Sequence, residues 1–301
     1  MGWVHDLPLA QLSLSTDDDF FVAPQLLEDL LLADPRVAAV SFVGSSAVAR
    51  YIHQTASSHG KRVQALGGAK NHSVVLPDAD MKSTVAAIMG SGFGCAGERC
   101  LATSVVIAVG EAGDPLVREL VQAADTLTVG DGCQTRTQMG PVITADAKKR
   151  ILGYIELGEK EGAQLARDGR KDEVTRSQGY FVGPTIFDKV NPRSRIAKDE
   201  IFGPVLSVIR AKDLKEAMAV IAGSEYGNAA SVFTRSGASA REFLQNVTAG
   251  MVGINVGVPA PVAFFPFAGW KNSFFGDLHA LGKDAVRFYT EQRVVTCRWP
   301  E

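Results

Sequence analysis

Phe93-Gly94-Cys95-Ala96-Gly97-Glu98-Arg99-Cys100-Leu101-Ala102-Thr103-Ser104 runs straight into Val105-Val106-Ile107-Ala108-Val109. The second run reads as an apolar strand, so the first is the loop that enters it. Its small side chains let backbone approach a bound molecule closely. Cys100 there offers a sulfur nucleophile and its own backbone N–H as an oxyanion donor. Arg99 adds a fixed positive charge, of the kind that favours a thiolate and pairs with a substrate carboxylate. A free cysteine is more often a small buried hydrophobe, so the assignment rests on the company it keeps.

Upstream, Val37-Ala38-Ala39-Val40-Ser41-Phe42-Val43 is a second apolar run of buried-strand length. Gly44-Ser45-Ser46 turns it into a helix carrying Ala47, Val48, Tyr51 and Ile52, which stops near Gly60. Strand, Gly-Ser turn and helix make a phosphate-binding geometry, because the helix start offers free N–H groups and a positive dipole end. Many such turns bind nothing.

Further strands are predicted over 62–66, 73–76, 205–211, 230–234 and 251–256, and helices over 79–90, 115–125, 144–159, 213–223 and 238–246. This alternation predicts an α/β fold with a largely parallel sheet. Gly130-Asp131-Gly132 and residues 162–184 read as surface loops. A helix over 279–289 precedes a β-run at 293–299, which either joins another subunit's sheet or forms an edge strand of its own. Residues 1–23 show no period, and an amphipathic helix is predicted from Pro24 with Leu26, Leu27, Leu30 and Leu31 at helical spacing.

The 301 residues are 46% hydrophobic, enough to bury a sizeable core in one or two domains. With 31 basic and 33 acidic side chains the net charge is −2, which gives no basic stripe for nucleic acid or membrane lipid. A small molecule is the default partner. Cys95, Cys100, Cys133 and Cys297 lack metal-ligand spacing, so no metal is expected and a reducing compartment fits. No apolar run reaches membrane-spanning length and no leader pattern opens the chain, so the expected location is cytoplasmic.

The 93–104 loop resembles the nucleophile segment of aldehyde dehydrogenases, and other segments match that family in order. Phe42-Val43-Gly44-Ser45-Ser46 is similar to its cofactor-pyrophosphate turn, and Ala65-Leu66-Gly67-Gly68-Ala69-Lys70-Asn71-His72 to the segment lining the nicotinamide end. Met139-Gly140-Pro141-Val142 resembles a structural signature, and Pro266-Phe267-Ala268-Gly269-Trp270-Lys271-Asn272-Ser273 the late substrate-channel segment. Asp199-Glu200-Ile201-Phe202-Gly203-Pro204-Val205 resembles the Glu-Phe-Gly-Pro motif, whose Glu and Phe contact the nicotinamide ribose and ring. Gly-Glu-Arg-Cys and the Asn71-His72 pair resemble the CoA-acylating branch that oxidises methylmalonate or malonate semialdehyde.

The resemblance, over about residues 24–299, implies an aldehyde dehydrogenase-like catalytic domain with a remnant of a Rossmann-type NAD-binding domain. The implied division is an irregular segment 1–23, the cofactor-domain remnant 24–68, the catalytic domain 69–272, and a C-terminal helix with an oligomerisation strand over 273–301. The implied roles are Cys100 as catalytic nucleophile, Arg99 as substrate binder, and Gly44, Ser45, Gly67, Glu200 and Phe202 at the cofactor. NAD is the implied cofactor, coenzyme A the co-substrate, a small semialdehyde the substrate, and a dimer or tetramer the assembly.

Two departures carry consequences. Hydrolytic family members place a Glu, the base that activates water, where this chain has Ala65 and Leu66; neither takes a proton, whereas a CoA thiolate needs no such base. The family's Pro-Trp-Asn segment, whose Asn completes the oxyanion hole, and its ribose-holding Lys find no match in residues 1–43. The chain therefore reads as N-terminally truncated relative to the family, with its cofactor half to come from a partner if it is to act. The rival readings are a hydrolytic dehydrogenase of another aldehyde and a non-catalytic module that serves assembly.

Overall fold

The computed structural model describes residues 29–300. The expectations for 1–28, including Leu26 and Leu27 at the front of the helix from Pro24, lie outside the described residues; 29–33 are helical. Two sheets organise the fold. In the smaller, β1 (Ala39–Val43) and β2 (Arg62–Leu66) are parallel and joined by the helix Ser46–Ser58. Ser45 caps that helix, in extended conformation and accepting from Val48 N–H at 3.5 Å.

The larger sheet holds β3 (Asn71–Val75), β4 (Thr103–Val109), β5 (Gln164–Arg167), β6 (Thr185–Asp188), β7 (Val205–Ala211), β9 (Ala229–Phe233) and β10 (Met251–Ile254). Their order is β10-β9-β3-β4-β7-β6-β5, parallel throughout except for the β5 edge. Val74, Val75, Val106, Ile107, Val208 and Val232 are fully buried, as strands covered by helices on both faces must be. The covering helices start on side-chain caps where the sequence supplies them: Asp80 accepts from Ser83 N–H, Thr144 from Ala147 N–H, Asp213 from Glu216 N–H and Ser236 from Ser239 N–H. A two-residue β8 (Tyr226–Gly227) pairs with β11 (Trp270–Lys271).

Several expectations are corrected. The 37–43 run is not buried on both faces: among the described residues β1 is an edge strand of the small sheet, and Val43 is 63% exposed. The following helix buries Ala49, Ile52 and Ala56, whereas Val48 and Tyr51 lie at the surface. The 162–184 region contains β5, an antiparallel edge strand whose part-exposed residues leave no apolar signature. β12 (Phe274–Gly276) went unpredicted; it pairs antiparallel with β2, so chain from beyond 272 completes the small sheet. Residues 293–299 form no ladder with the described residues, and a strand needs a neighbour for its N–H and C=O groups.

Candidate active site

Three loops enter the large sheet at the amino ends of its strands: residues 67–70 before β3, 94–102 before β4 and 199–204 before β7. The carboxyl end of β1 faces them with Gly44-Ser45. Between these pieces lies a cavity of about 430 Å3, lined by Val43, Gly44, Ser45, Gly67, Gly68, Ala69, Cys100, Arg150, Glu200 and Phe202. Six of the seven residues singled out by sequence thus meet in one place. The seventh, Arg99, lines an adjoining crevice of about 10 Å3 that shares Glu200 and Phe202.

The nucleophile loop is held by its backbone. Asn71, buried at the start of β3, donates through Nδ2 to Cys100 O (2.8 Å) and Ala102 O (2.9 Å), and its Oδ1 accepts Ala229 N–H. Asn228 donates to the same Cys100 carbonyl at 2.9 Å. Two side-chain amides, one at the start of β3 and one just before β9, fix one peptide, while the Cys100 thiol is exposed and no acceptor among the described residues takes its N–H. Cys95, Ala96 and Gly97 all have positive φ, a left-handed turn that costs about 1–2 kcal/mol for each non-glycine residue. A Cβ on Gly97 would stand 2.3 Å from Gly203 O, so only glycine lets this loop lie against the 199–204 loop.

Arg99 Nη2 donates to Gly90 O and to Ser91 O (2.9 Å), closing the C-terminal end of the helix Met81–Gly92, where a cation meets the negative dipole end. Its Nε is buried and finds no partner among the described residues, and the same holds for Oε1 of the preceding Glu98. Glu98 Oε2 accepts Ile143 N–H at 3.0 Å; burial pushes this carboxyl up, against the pull of that N–H and of Arg150.

Glu200 Oε1 accepts Ala69 N–H at 2.9 Å. Burial pushes its carboxyl up, opposed by the Ala69 N–H, Lys70 and Arg150. A Cβ on Gly68 would stand 2.4 Å from Glu200 Oε2, which explains the glycine. Phe202, at φ +52, is a bulky residue in the left-handed region with its ring partly exposed at the cavity. Arg150, from the helix Ala145–Lys160, donates to Ile201 O (3.2 Å) and, at 3.5 Å, to Phe202 O. Sequence reasoning missed Arg150, Asn228 and Glu98; the one available signal for Arg150 was the basic run Lys148-Lys149-Arg150 on an otherwise amphipathic helix.

These residues fit one half of a dinucleotide. The free start of the helix Ser46–Ser58 suits a phosphate, the Glu200 carboxylate suits ribose hydroxyls, and the Phe202 ring offers a flat face. Among the described residues no cluster of His, Cys, Asp or Glu could hold a metal ion, and no helix is long and apolar enough to cross a membrane.

The aldehyde dehydrogenase family model matches residues 23–295. Malonate-semialdehyde dehydrogenase 1 of Geobacillus thermodenitrificans is 56% identical over 269 residues, 89% of this chain and 56% of that protein. The crystal structure of methylmalonate-semialdehyde dehydrogenase from Oceanimonas doudoroffii superposes with a TM-score of 0.88 at 52% identity, over 91% of this chain and 56% of that one. A methylmalonate-semialdehyde dehydrogenase from Sinorhizobium meliloti complexed with NAD gives a TM-score of 0.89 at 44% identity, over 92% of this chain and 57% of that one. The chain spans about half the length of the relatives it matches. Motif order, the meeting of the loops in one cavity and these likenesses agree: the chain belongs to the aldehyde dehydrogenase family.

Proposed function

We propose that this chain carries the catalytic half of an NAD-dependent, CoA-acylating oxidation of malonate or methylmalonate semialdehyde. The observation that supports the reading best is the exposed Cys100, its carbonyl clamped by Asn71 and Asn228, in one cavity with Glu200 and Phe202. Cys100 as thiolate adds to the aldehyde carbon, and its N–H holds the oxyanion of the thiohemiacetal. NAD, when bound, supplies the hydride acceptor, with Gly44, Ser45 and Gly67 toward its pyrophosphate and Glu200 and Phe202 toward its nicotinamide end. The CoA thiolate then displaces Cys100 from the thioester, giving acetyl-CoA or propionyl-CoA after loss of the carboxyl group. Arg99, anchored by Nη2 beside the nucleophile, reads the substrate carboxylate.

A thiol acceptor is favoured over water by the lining itself. Ala65 and Leu66 are buried in β2, and the one carboxylate in the cavity, Glu200, already accepts Ala69 N–H. Among the described residues the cavity offers the pyrophosphate and nicotinamide side and β1 is an edge strand, so the chain alone should grip NAD weakly. Exposed Val294, Val295 and Trp299 favour assembly with another chain.

Iodoacetamide labelling with peptide mapping should modify Cys100 ahead of Cys95, which sits in the left-handed turn. A CoA-dependent NADH assay should show turnover once the chain is extended to the full length of its relatives. Preferential labelling of Cys95, or a Cys100→Ala variant of the extended protein that keeps its rate, would sink the reading.

A further inference from the structure

Lys70, next to the cavity-lining Ala69, carries a charge that the proposed reaction leaves idle. It is 2% exposed, yet its Nζ donates to no carboxylate among the described residues; the acceptor is the main-chain oxygen of Asp199 at 2.7 Å. The Asp199 carboxylate is taken elsewhere, by Tyr154 Oη (2.9 Å) and by Arg195 (2.8 Å). A buried ammonium without an ion-pair partner is expensive and calls for a reason.

The neighbouring bonds supply one. Ala69 and Lys70, consecutive in the β2–β3 linker, reach consecutive residues of the facing loop: Ala69 N–H goes to the Glu200 carboxylate and Lys70 Nζ to the Asp199 carbonyl. From the other side Arg150 donates to the Ile201 and Phe202 carbonyls. The loop that carries Glu200 and the left-handed Phe202 is therefore gripped between two cations, one buried and one in the cavity. We propose that Lys70 is a positioning residue, its buried ammonium holding the Glu200–Phe202 loop in place and keeping the Glu200 carboxylate charged.

The electrostatics agree. Burial pushes the Lys70 ammonium down to about 7, held up from a lower value by Asp199 and Glu200. Lys70 in turn pulls Glu200 down against burial. The other groups around the pair are Arg150, which assists on Glu200, Tyr226, pushed up to about 12 by burial and by Glu225, Glu200 and Asp199, and His72, kept neutral at about 3 by burial, Lys70 and Lys271. Lys70 is the member of this set that changes charge near neutral pH, so the grip on the loop loosens as pH rises through that range.

The role rests on the dehydrogenase reading, but its test needs no cofactor. Carbon-13 NMR of glutamate carboxyls, with Glu200 assigned through Glu200→Gln, should show in the wild-type chain a second inflection near the Lys70 midpoint. Lys70→Met should remove that inflection and raise the Glu200 midpoint by about one pH unit or more, as loss of an adjacent opposite charge does. Lys70→Arg should also remove it and keep the Glu200 midpoint where the wild type has it. A Glu200 titration with no second inflection in the wild type, or the same midpoint in wild type and Lys70→Met, overturns the proposal. If Lys70→Met does not fold, the wild-type inflection and the Lys70→Arg midpoint still decide. NADH fluorescence titration of the same proteins addresses the cofactor reading separately, since absence of NADH binding leaves the carboxyl titrations standing.

Discussion

Each of the two sheets is parallel but for one antiparallel edge strand, β12 in the small sheet and β5 in the large, and the two meet solvent differently. In the large sheet β3 is buried along its whole length, and β4 nearly so, between helices on both faces. In the small sheet β1 has, among the described residues, a neighbour on one side, and an apolar groove of about 260 Å3 lined by Leu31, Leu32, Val37, Val40, Phe42 and Ile52 runs along it. The candidate site sits at their junction, with the carboxyl end of β1 facing the amino ends of β3, β4 and β7. Ligand sites of open parallel sheets gather at carboxyl ends. On the proposed reading the small sheet faces the cofactor and the large one carries the chemistry.

That contrast predicts unequal costs for the same kind of truncation. Ile107→Ala, at the fully buried centre of β4, should lose about 4 kcal/mol of stability through lost burial and the cavity left behind. Val43→Ala, at the exposed end of β1, should change it by no more than about 0.5 kcal/mol. Urea unfolding followed by circular dichroism measures both. Similar losses would mean that β1 is packed as tightly as the centre of the large sheet.

How much of this was legible in sequence also divides along the contrast. Strands 62–66 and 205–211 were read to the residue, because short β-rich runs meet clear punctuation, Gly67-Gly68 after the first and Gly203-Pro204 before the second. The burial of β1 was misread: an apolar run announces a strand but not whether the strand has neighbours on both sides. β5 and β12 were invisible: β5 is a short, part-exposed edge strand, and β12 is short and completed by β2, far away along the chain. At the site, the residues that the motifs singled out line one cavity or its adjoining crevice, whereas Arg150 and Asn228, brought there by long-range packing, were missed. Arg150 reaches the Phe202 loop across about fifty residues, and Asn228 meets Cys100 across more than a hundred; neither distance is written in local pattern. Arg99 was found by its place next to Cys100, but its bonds to the helix end are tertiary facts.

Two glycines with the same φ of +72 sharpen the comparison at intermediate effect size. Gly60 ends the small-sheet helix with nothing within 4 Å of a built Cβ, so Gly60→Ala meets only the left-handed penalty, about 1 kcal/mol. Gly97 would press its Cβ into Gly203 O at 2.3 Å, so Gly97→Ala should cost on the order of 3 kcal/mol. It should also slow Cys100 alkylation, because the nucleophile loop moves to relieve the contact. Thermal melts with iodoacetamide rates test the pair, and equal costs would show that the loop yields freely.

The smallest effect separates the sheets by charge. The large sheet buries His72, 5% exposed, whereas Arg36 and Asp34 beside β1 form a surface pair. Burial first, then Lys70 and Lys271, push the His72 imidazole down to about 3. The folded state therefore refuses a proton that the unfolded chain accepts below about 6.5. Stability tied to His72 is intact above that value and declines as pH falls from about 6.5 toward 3, with a limiting slope of about 1.4 kcal/mol per pH unit. His72→Gln removes this titration without removing a charge that the folded state carries at neutral pH. Between pH 6 and 5, wild type should lose up to about 1.4 kcal/mol more than His72→Gln in urea midpoints converted to free energy. Parallel loss in the two proteins would place the acid sensitivity outside the large sheet's buried histidine.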